Sequence, residues 1–203
     1  MNYSGLIAGL GNPGIRYEGT RHNCGFDFVT ALLSLASAEG IVEQLSGSRF
    51  FCKLWRVRLP DLHSWWLAAQ PLTFMNNSGQ CVQPLLSWYK LTADKLVVVH
   101  DELDIPPGEL RIKKGGGNAG HNGLKSITEQ VGTADFYRIR IGIGRPQHKG
   151  EVINWVLGRP EADDAEKIST ARRRALKILF ILADKGLEQA INAARYPAAM
   201  ALS

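Results

Sequence analysis

The segment Leu96-Val97-Val98-Val99 limits the possible folds more than any other part of this chain. It is continuous and rich in β-branched residues, as expected of a central strand covered on both faces. Leu6-Ile7-Ala8-Gly9-Leu10 reads as a second short buried strand, which breaks at the turn sequence Gly11-Asn12-Pro13-Gly14. Between the two, Val29, Leu32, Leu33 and Ala36 recur at helical spacing, so an amphipathic helix is predicted to stop near Gly40. Phe50 to Val57 and Trp65 to Ala69 read as a strand pair around a turn at Leu59-Pro60-Asp61-Leu62-His63. Ser78 to Tyr89 reads as a helix in which Pro84 either makes a kink or belongs to the first turn.

Strands and helices continue to alternate downstream. Glu109 to Lys114 and Phe136 to Ile143 alternate apolar with basic residues, and Leu124 to Glu129 starts a helical period. Ile168, Ala171, Ala175, Ile178 and Leu182 mark a long C-terminal helix, followed by a shorter one from Leu187 to Arg195. This order predicts an α/β fold: a single domain over residues 1–203, with a twisted mixed sheet flanked by helices on both faces. Ligands of such sheets bind at the carboxyl ends of the strands. Asn12, Asn76 and His100-Asp101 all follow or close predicted strands.

Residues 115 to 123 read Gly-Gly-Gly-Asn-Ala-Gly-His-Asn-Gly. So many glycines cost entropy on folding and serve neither helix nor strand, which implies left-handed dihedrals or a close approach of the backbone to something. Lying between a cationic strand and a helix, the run has the form of an anion-binding loop; a tight turn with packed glycines is the other reading. From Leu110 to Lys149 there are eight cations (Arg111, Lys113, Lys114, Lys125, Arg138, Arg140, Arg145, Lys149) against Glu129 and Asp135. That surplus of six exceeds the net +5 of the whole chain and points to a polyphosphate partner, with nucleic acid the leading large one. Arg172-Arg173-Arg174, in a segment that also holds acids, reads as ordinary helix surface.

Other classes of function are disfavoured. No apolar run reaches the ~18 residues of a membrane span, and no basic, apolar signal segment opens the chain, so a cytoplasmic protein is expected. Cys24, Cys52 and Cys81 are odd in number and lack a Cys-x-x-Cys pair; they are expected to be buried apolar residues rather than disulfides or zinc ligands. His22, His100 and His121 show no metal-binding spacing. The glycine loop ends His-Asn-Gly, without the Gly-Lys-Ser/Thr of a P-loop.

Six strings carry a resemblance. They are Gly9-Leu10-Gly11-Asn12-Pro13-Gly14; Tyr17 with Thr20-Arg21-His22-Asn23; Pro71-Leu72-Thr73-Phe74-Met75-Asn76 with Ser78-Gly79; His100-Asp101-Glu102-Leu103-Asp104 with Pro107-Gly108; the glycine run with Gly120-His121-Asn122-Gly123; and Arg138 through Pro146. In order and spacing they resemble the bacterial peptidyl-tRNA hydrolases, from the first strand to the last helix. The resemblance implies a monomeric esterase without metal or other cofactor, which frees tRNA from the peptides of stalled ribosomes. It implies that His22 is the general base and Asp101 its carboxylate partner, with water rather than a side chain attacking the ester.

Asn12, Asn76 and Asn122 match substrate-binding asparagines of the family, and a carboxamide can hold a peptide backbone whatever its side chains. Asn12 is further expected to discriminate against unblocked aminoacyl-tRNA. Tyr17 and Phe74 offer faces to the substrate, with core packing the alternative for Phe74. Lys113 and Arg140 resemble a clamp for the tRNA 5′-phosphate, and Lys125 a further backbone contact. Loops around Ile105 to Lys114 and Arg145 to Gly150 are expected to act as lids. A non-catalytic RNA-binding relative of the same fold is the alternative function; it is expected to lack His22 or Asp101.

Overall fold

The structure is a computed structural model and describes residues 2–58 and 64–195. The turn expected at Leu59 to His63 lies outside the described residues. One seven-stranded sheet is formed by β1 (Leu6–Gly9), β2 (Ile41–Leu45), β3 (Cys52–Arg58), β4 (Trp66–Pro71), β5 (Leu96–Glu102), β6 (Leu110–Lys114) and β7 (Tyr137–Gly142). Their order across the sheet is β2-β3-β4-β1-β5-β7-β6. The four central strands run parallel, while β2, β3 and β6 pair antiparallel at the two sides. The mixed sheet predicted from the strand pattern is therefore parallel where it is buried and antiparallel towards its edges.

Side-chain alternation splits the core in two. Ile7, Val97, Val99, Ile139 and Ile141 face α1 (Cys24–Glu39) and α5 (Ala162–Arg195). Leu6, Ala8, Leu96 and Val98 face α2 (Gly79–Trp88) and α3 (Asn122–Val131). All seven residues of β5 are buried, as a strand covered on both faces requires. Gly186, at φ 81°, breaks α5 where the sequence predicts two helices. Pro84 lies in the second turn of α2, and the helix continues to Trp88.

Two elements had no sequence signal. The exposed edge strand β2 buries no residue fully, and α4 (Val152–Leu157) is a six-residue helix that also buries none. The bounds of the first expected lid are corrected. Residues 110–114 are strand, paired to β7, and the preceding turn is fastened by Gly142 N–H donating to Glu109 O and Gly144 N–H to Ile105 O. Residues 110–114 alternate because they form a sheet ladder, which leaves only residues 103–109 as loop.

The helix-sheet contact that positions the site is between α1 and β1. A methyl group at Gly25 would run into the Leu10 amide and the Val99 carbonyl, and one at Gly9 into the Gly25 carbonyl. The glycines thus let the first turn of α1 rest directly on the ends of β1 and β5. Phe26 N–H donates to Leu10 O at 3.2 Å across this contact.

Candidate active site

A cleft of about 510 Å³ opens at the carboxyl ends of the parallel strands. Asn12, His22, Phe74, Asn76, Asp101 and Asn122 all line it. They arrive on five segments: Asn12 after β1, His22 in the turn Arg21–Asn23 that enters α1, Phe74 and Asn76 after β4, Asp101 in β5, and Asn122 at the start of α3. Six residues spread over more than a hundred positions are brought together because every one follows or ends a central strand or begins a helix at the same edge.

His22 Nδ1 lies 2.9 and 3.0 Å from the two Asp101 carboxylate oxygens. A carboxylate only accepts, so in the neutral ring Nδ1 carries the proton and Nε2 keeps its lone pair. His121 Nε2 lies 3.1 Å from Asp101 Oδ1 on the other side. His121 Nδ1 accepts from the amides of Gly123 and Leu124, at 3.1 and 3.3 Å, and so caps the N-terminus of α3. Those amides fix the tautomer: the proton of His121 sits on Nε2 and is donated to Asp101.

Burial alone would raise the Asp101 carboxyl, but His22 and His121 outweigh it and hold it far below the ordinary carboxylate range. Burial likewise works to lower His22, yet the charge of Asp101 and its hydrogen bond leave that imidazole above its ordinary value. His100 packs edge-on to His121 with ring centroids 4.8 Å apart, and its Nδ1–H donates to the Asp101 carbonyl at 2.6 Å. Burial, then His121, pushes the His100 ring well below the ordinary histidine value, so it stays neutral.

The asparagines are held in different ways. Asn12 Oδ1 accepts the Met75 amide at 2.8 Å, while Asn23 Oδ1 accepts Asn12 N–H at 2.8 Å and Asn23 Nδ2 donates to Asn12 O at 3.0 Å. With its oxygen engaged, Asn12 has its Nδ2 hydrogens to offer the cleft. Asn76 and Asn122 are exposed at the rim. Phe74 is 55% exposed, which decides against core packing, and its ring meets Tyr17 edge to face at 6.3 Å.

The sequence reading misses three contributors. His121 stands in the glycine run without an assigned role, and Asn23 is quoted only as part of a string. The third is the apolar wall that α4 adds to the cleft through Val152, Ile153, Val156 and Leu157. Helical spacing could not reveal α4, because it is short and apolar on more than one side. His121 was in principle visible: a polar residue immediately before a helical period occupies the N-cap position.

The basic segment differs from the expected cationic face. Arg138 is fully buried and donates to the Gly117 and Gly116 carbonyls at 2.8 and 2.9 Å, bracing the glycine loop from beneath. Arg140 pairs with Glu102 at 2.9 Å, Arg111 with Glu109 at 2.9 Å, Lys114 with Asp135 at 3.3 Å, Lys125 with Glu129 at 3.9 Å, and Arg145 with Asp104. Folding returns acids from just upstream of the counted segment. Lys113 faces mainly cations: burial, then Arg140 and Arg138, hold its ammonium below the ordinary lysine value. The expectation for Arg172 and Arg174 is corrected as well. Arg172 pairs with Asp27 at 3.2 Å, and Arg174 donates to the carbonyls of Gly108 and Ala194 at 3.1 and 3.3 Å, which ties α5 to its neighbours.

All three cysteines are free and buried. Burial first, and then the charges of Asp101 and Asp27, push the Cys24 thiol well above its ordinary value, so it holds its proton and is no nucleophile. The chain also gathers a donor set that no motif spacing announces: ligand atoms of His22, Asp101 and His121 all lie within 4.8 Å of one another. Spacing rules read one element at a time, whereas these three come from three. Both ring nitrogens facing Asp101 are protonated, and His121 Nδ1 is already an acceptor, so an ion here would have to displace two protons that the arrangement uses.

Among the described residues no helix is long and apolar enough to cross a membrane. The family described as Peptidyl-tRNA hydrolase matches residues 6–201. A peptidyl-tRNA hydrolase of Desulfovibrio desulfuricans is 64% identical over 194 residues, which cover 96% of this chain and 85% of that one. One of Nitratidesulfovibrio vulgaris is 51% identical over 188 residues, covering 92% and 93%. The crystal structure of the Acinetobacter baumannii peptidyl-tRNA hydrolase superposes with a TM-score of 0.84 at 37% identity, covering 95% of each chain. Six strings in register, an imidazole-carboxylate pair at the strand ends and relatives matched over nearly their whole length lead to one conclusion: this chain belongs to the peptidyl-tRNA hydrolase family.

Proposed function

We propose that this chain hydrolyses the ester between a peptide and the ribose of tRNA with His22 as general base and water as nucleophile. Nε2 of His22 takes a proton from water as the oxygen attacks the ester carbonyl. Asp101 accepts from Nδ1 throughout, fixes the tautomer and stabilises the imidazolium. Collapse of the tetrahedral intermediate breaks the bond to the ribose oxygen, and the imidazolium returns its proton to that oxygen. His121 holds Asp101 from the far side. The single observation that carries this reading is the His22–Asp101 pair, in which Nδ1 faces the carboxylate of a histidine that lines the cleft.

Asn12 donates from Nδ2 to the ester or peptide carbonyl, Asn76 and Asn122 hold the peptide backbone at the rim, and Tyr17 with Phe74 provides an aromatic face. Preorganisation supports Asn12 in this role, because three hydrogen bonds already fix its position. Its match to the peptide bond also accounts for rejection of unblocked aminoacyl-tRNA. Lys113 and Arg140 receive the 5′-phosphate, with Lys125 touching the RNA backbone nearby. In the same reading the chain is one domain, acts as a monomer without metal or cofactor, and works in the cytoplasm, where peptidyl-tRNA is released. Sedimentation of the protein alone tests the oligomeric state.

His22→Ala is expected to lower kcat by about 10²- to 10⁴-fold, as loss of a general base does, with tRNA affinity nearly unchanged. Hydrolysis of N-acetylaminoacyl-tRNA in the presence of EDTA measures it. Retention of more than about a tenth of the rate removes His22 from the mechanism, and loss of wild-type activity in EDTA contradicts the metal-free reaction.

A further inference from the structure

We propose that Arg21 and Trp155 form a latch holding the α4 wall of the cleft to the turn that carries His22, so that Arg21 is a positioning residue for the reaction. The wall presents a mechanical question. Helix α4 supplies Val152, Ile153, Val156 and Leu157 to the cleft, yet none of its six residues is fully buried, and only Trp155 and Val156 pack against the apolar core. Specific groups add to that limited packing. The Trp155 indole N–H donates to Gly144 O at 2.9 Å, fastening α4 to the chain that leaves β7. On its other side the Arg21 guanidinium lies over the Trp155 ring, 3.8 Å from the centroid.

Arg21 also bonds to the backbone of the same segment. Its Nη1 donates to Trp155 O at 3.4 Å and Arg159 O at 3.1 Å, and its own amide donates to Gly158 O at 3.0 Å. Its Nη2 is 4.0 Å from Asp164 at the start of α5, and its Nε is buried without a partner among the described residues. Arg159 Nε returns a bond to Glu18 O at 3.1 Å. Among the described residues, every hydrogen bond and ion pair of the Arg21 side chain thus runs to residues 155–164, and the side chain is only 6% exposed. A buried guanidinium cannot give up its carbonyls and its ring without cost, so α4 cannot swing away while Arg21 stays where it is. Arg21 is the neighbour of His22 in a single 3-10 turn. Closing the wall and setting the imidazole are therefore one event. This inference rests on His22 being the base.

Two measurements on the full-length protein test it. Hydrogen exchange reads the latch: in Trp155→Ala the amides of residues 152–158 lose protection while those of β1 and β5 keep theirs. Steady-state kinetics reads its link to the reaction. Trp155→Phe keeps a ring under Arg21 but loses the Gly144 bond, and should raise KM about fivefold with kcat within about twofold of wild type. Trp155→Ala and Arg21→Lys remove the stack or the paired carbonyl contacts, and should each lower kcat about tenfold or more through displacement of His22.

A role confined to folding would instead lower kcat in all three variants in proportion to the unfolded fraction, at constant KM, and would overturn the proposal. So would unchanged exchange over residues 152–158 in Trp155→Ala, or increased exchange there with wild-type KM and kcat. Full activity of His22→Ala would remove the base but leave the exchange result standing, so the two readings fail separately.

Discussion

Asp101 is 3% exposed, and a carboxylate so placed stays ionised only through its neighbours. It accepts a hydrogen bond from each of two imidazoles and is held ionised far below the pH at which a free carboxyl would protonate. The exchange is reciprocal, since the same charge raises His22. The signs follow from linkage. Asp101, depressed on folding, adds stability above about pH 4 that is lost as pH falls through its folded value; His22, raised on folding, adds stability below about pH 6.5 that is lost as pH rises through its folded value. For catalysis the free base is needed, so kcat/KM should fall on the acid side around a pKa above the ordinary ~6.5. Asp101→Asn removes the charge and keeps the burial. The acid limb is expected to move to lower pH while the plateau drops, because the imidazolium loses its partner. A pH-rate profile of the variant checks this, and a limb that stays in place would leave Asp101 a structural role only.

At the scale of elements, the site depends on how closely α1 approaches the sheet. Gly25 lies in the first turn of that helix, where Ala would ordinarily be the better helix former by about 1 kcal/mol. Packing reverses the preference here, since the added methyl has the Leu10 amide and the Val99 carbonyl in its way. Gly25→Ala is therefore expected to destabilise the fold by about 1–3 kcal/mol, as overpacking does. A shift of His22 by about 1 Å should also lower kcat/KM about a hundredfold. Thermal unfolding and kinetics on the same preparation check both, and a variant more stable than wild type would show that the contact has slack. The strand pattern and the long helices were legible in the sequence because burial imposes periods of two and 3.6 on them. The edge strand β2 and the short helix α4 bury nothing completely, so nothing imposed a period on their sequences.

The whole molecule decides what its charges can do. The surplus of six from Leu110 to Lys149 already sets Glu129 and Asp135 against two of the cations, and half of what remains is neutralised in the fold by Glu102, Asp104 and Glu109 from outside the segment. One of its arginines, Arg138, is a buried brace for the glycine loop. Electropositive character concentrates instead around Lys113, on the same sheet face as Arg138 and Arg140 by the β6–β7 register. Lys113→Ala and Arg140→Ala should each weaken turnover of peptidyl-tRNA with an intact 5′-phosphate and change little after phosphatase treatment. Each lost contact should reduce the slope of log affinity against log salt by about 0.7–0.9, and the double variant should lose less than the sum of the singles. The check is kcat/KM on both forms of the substrate; equal losses would mean that these cations attract RNA only generally.

The sequence by itself determined the α/β class, the buried central strands, the break in the last helix and, through strings that keep their order and spacing, the residues around the cleft. These are local properties: a period, a turn or a motif is written in adjacent positions. Only the tertiary structure decided that His121 braces Asp101, that Asn23 fixes Asn12, that α4 walls the cleft and that most of the basic segment is paired. Each of these depends on the distance between residues far apart in the chain. That distance is set by strand order and by how closely helix and sheet approach, and neither is encoded in any one stretch of sequence.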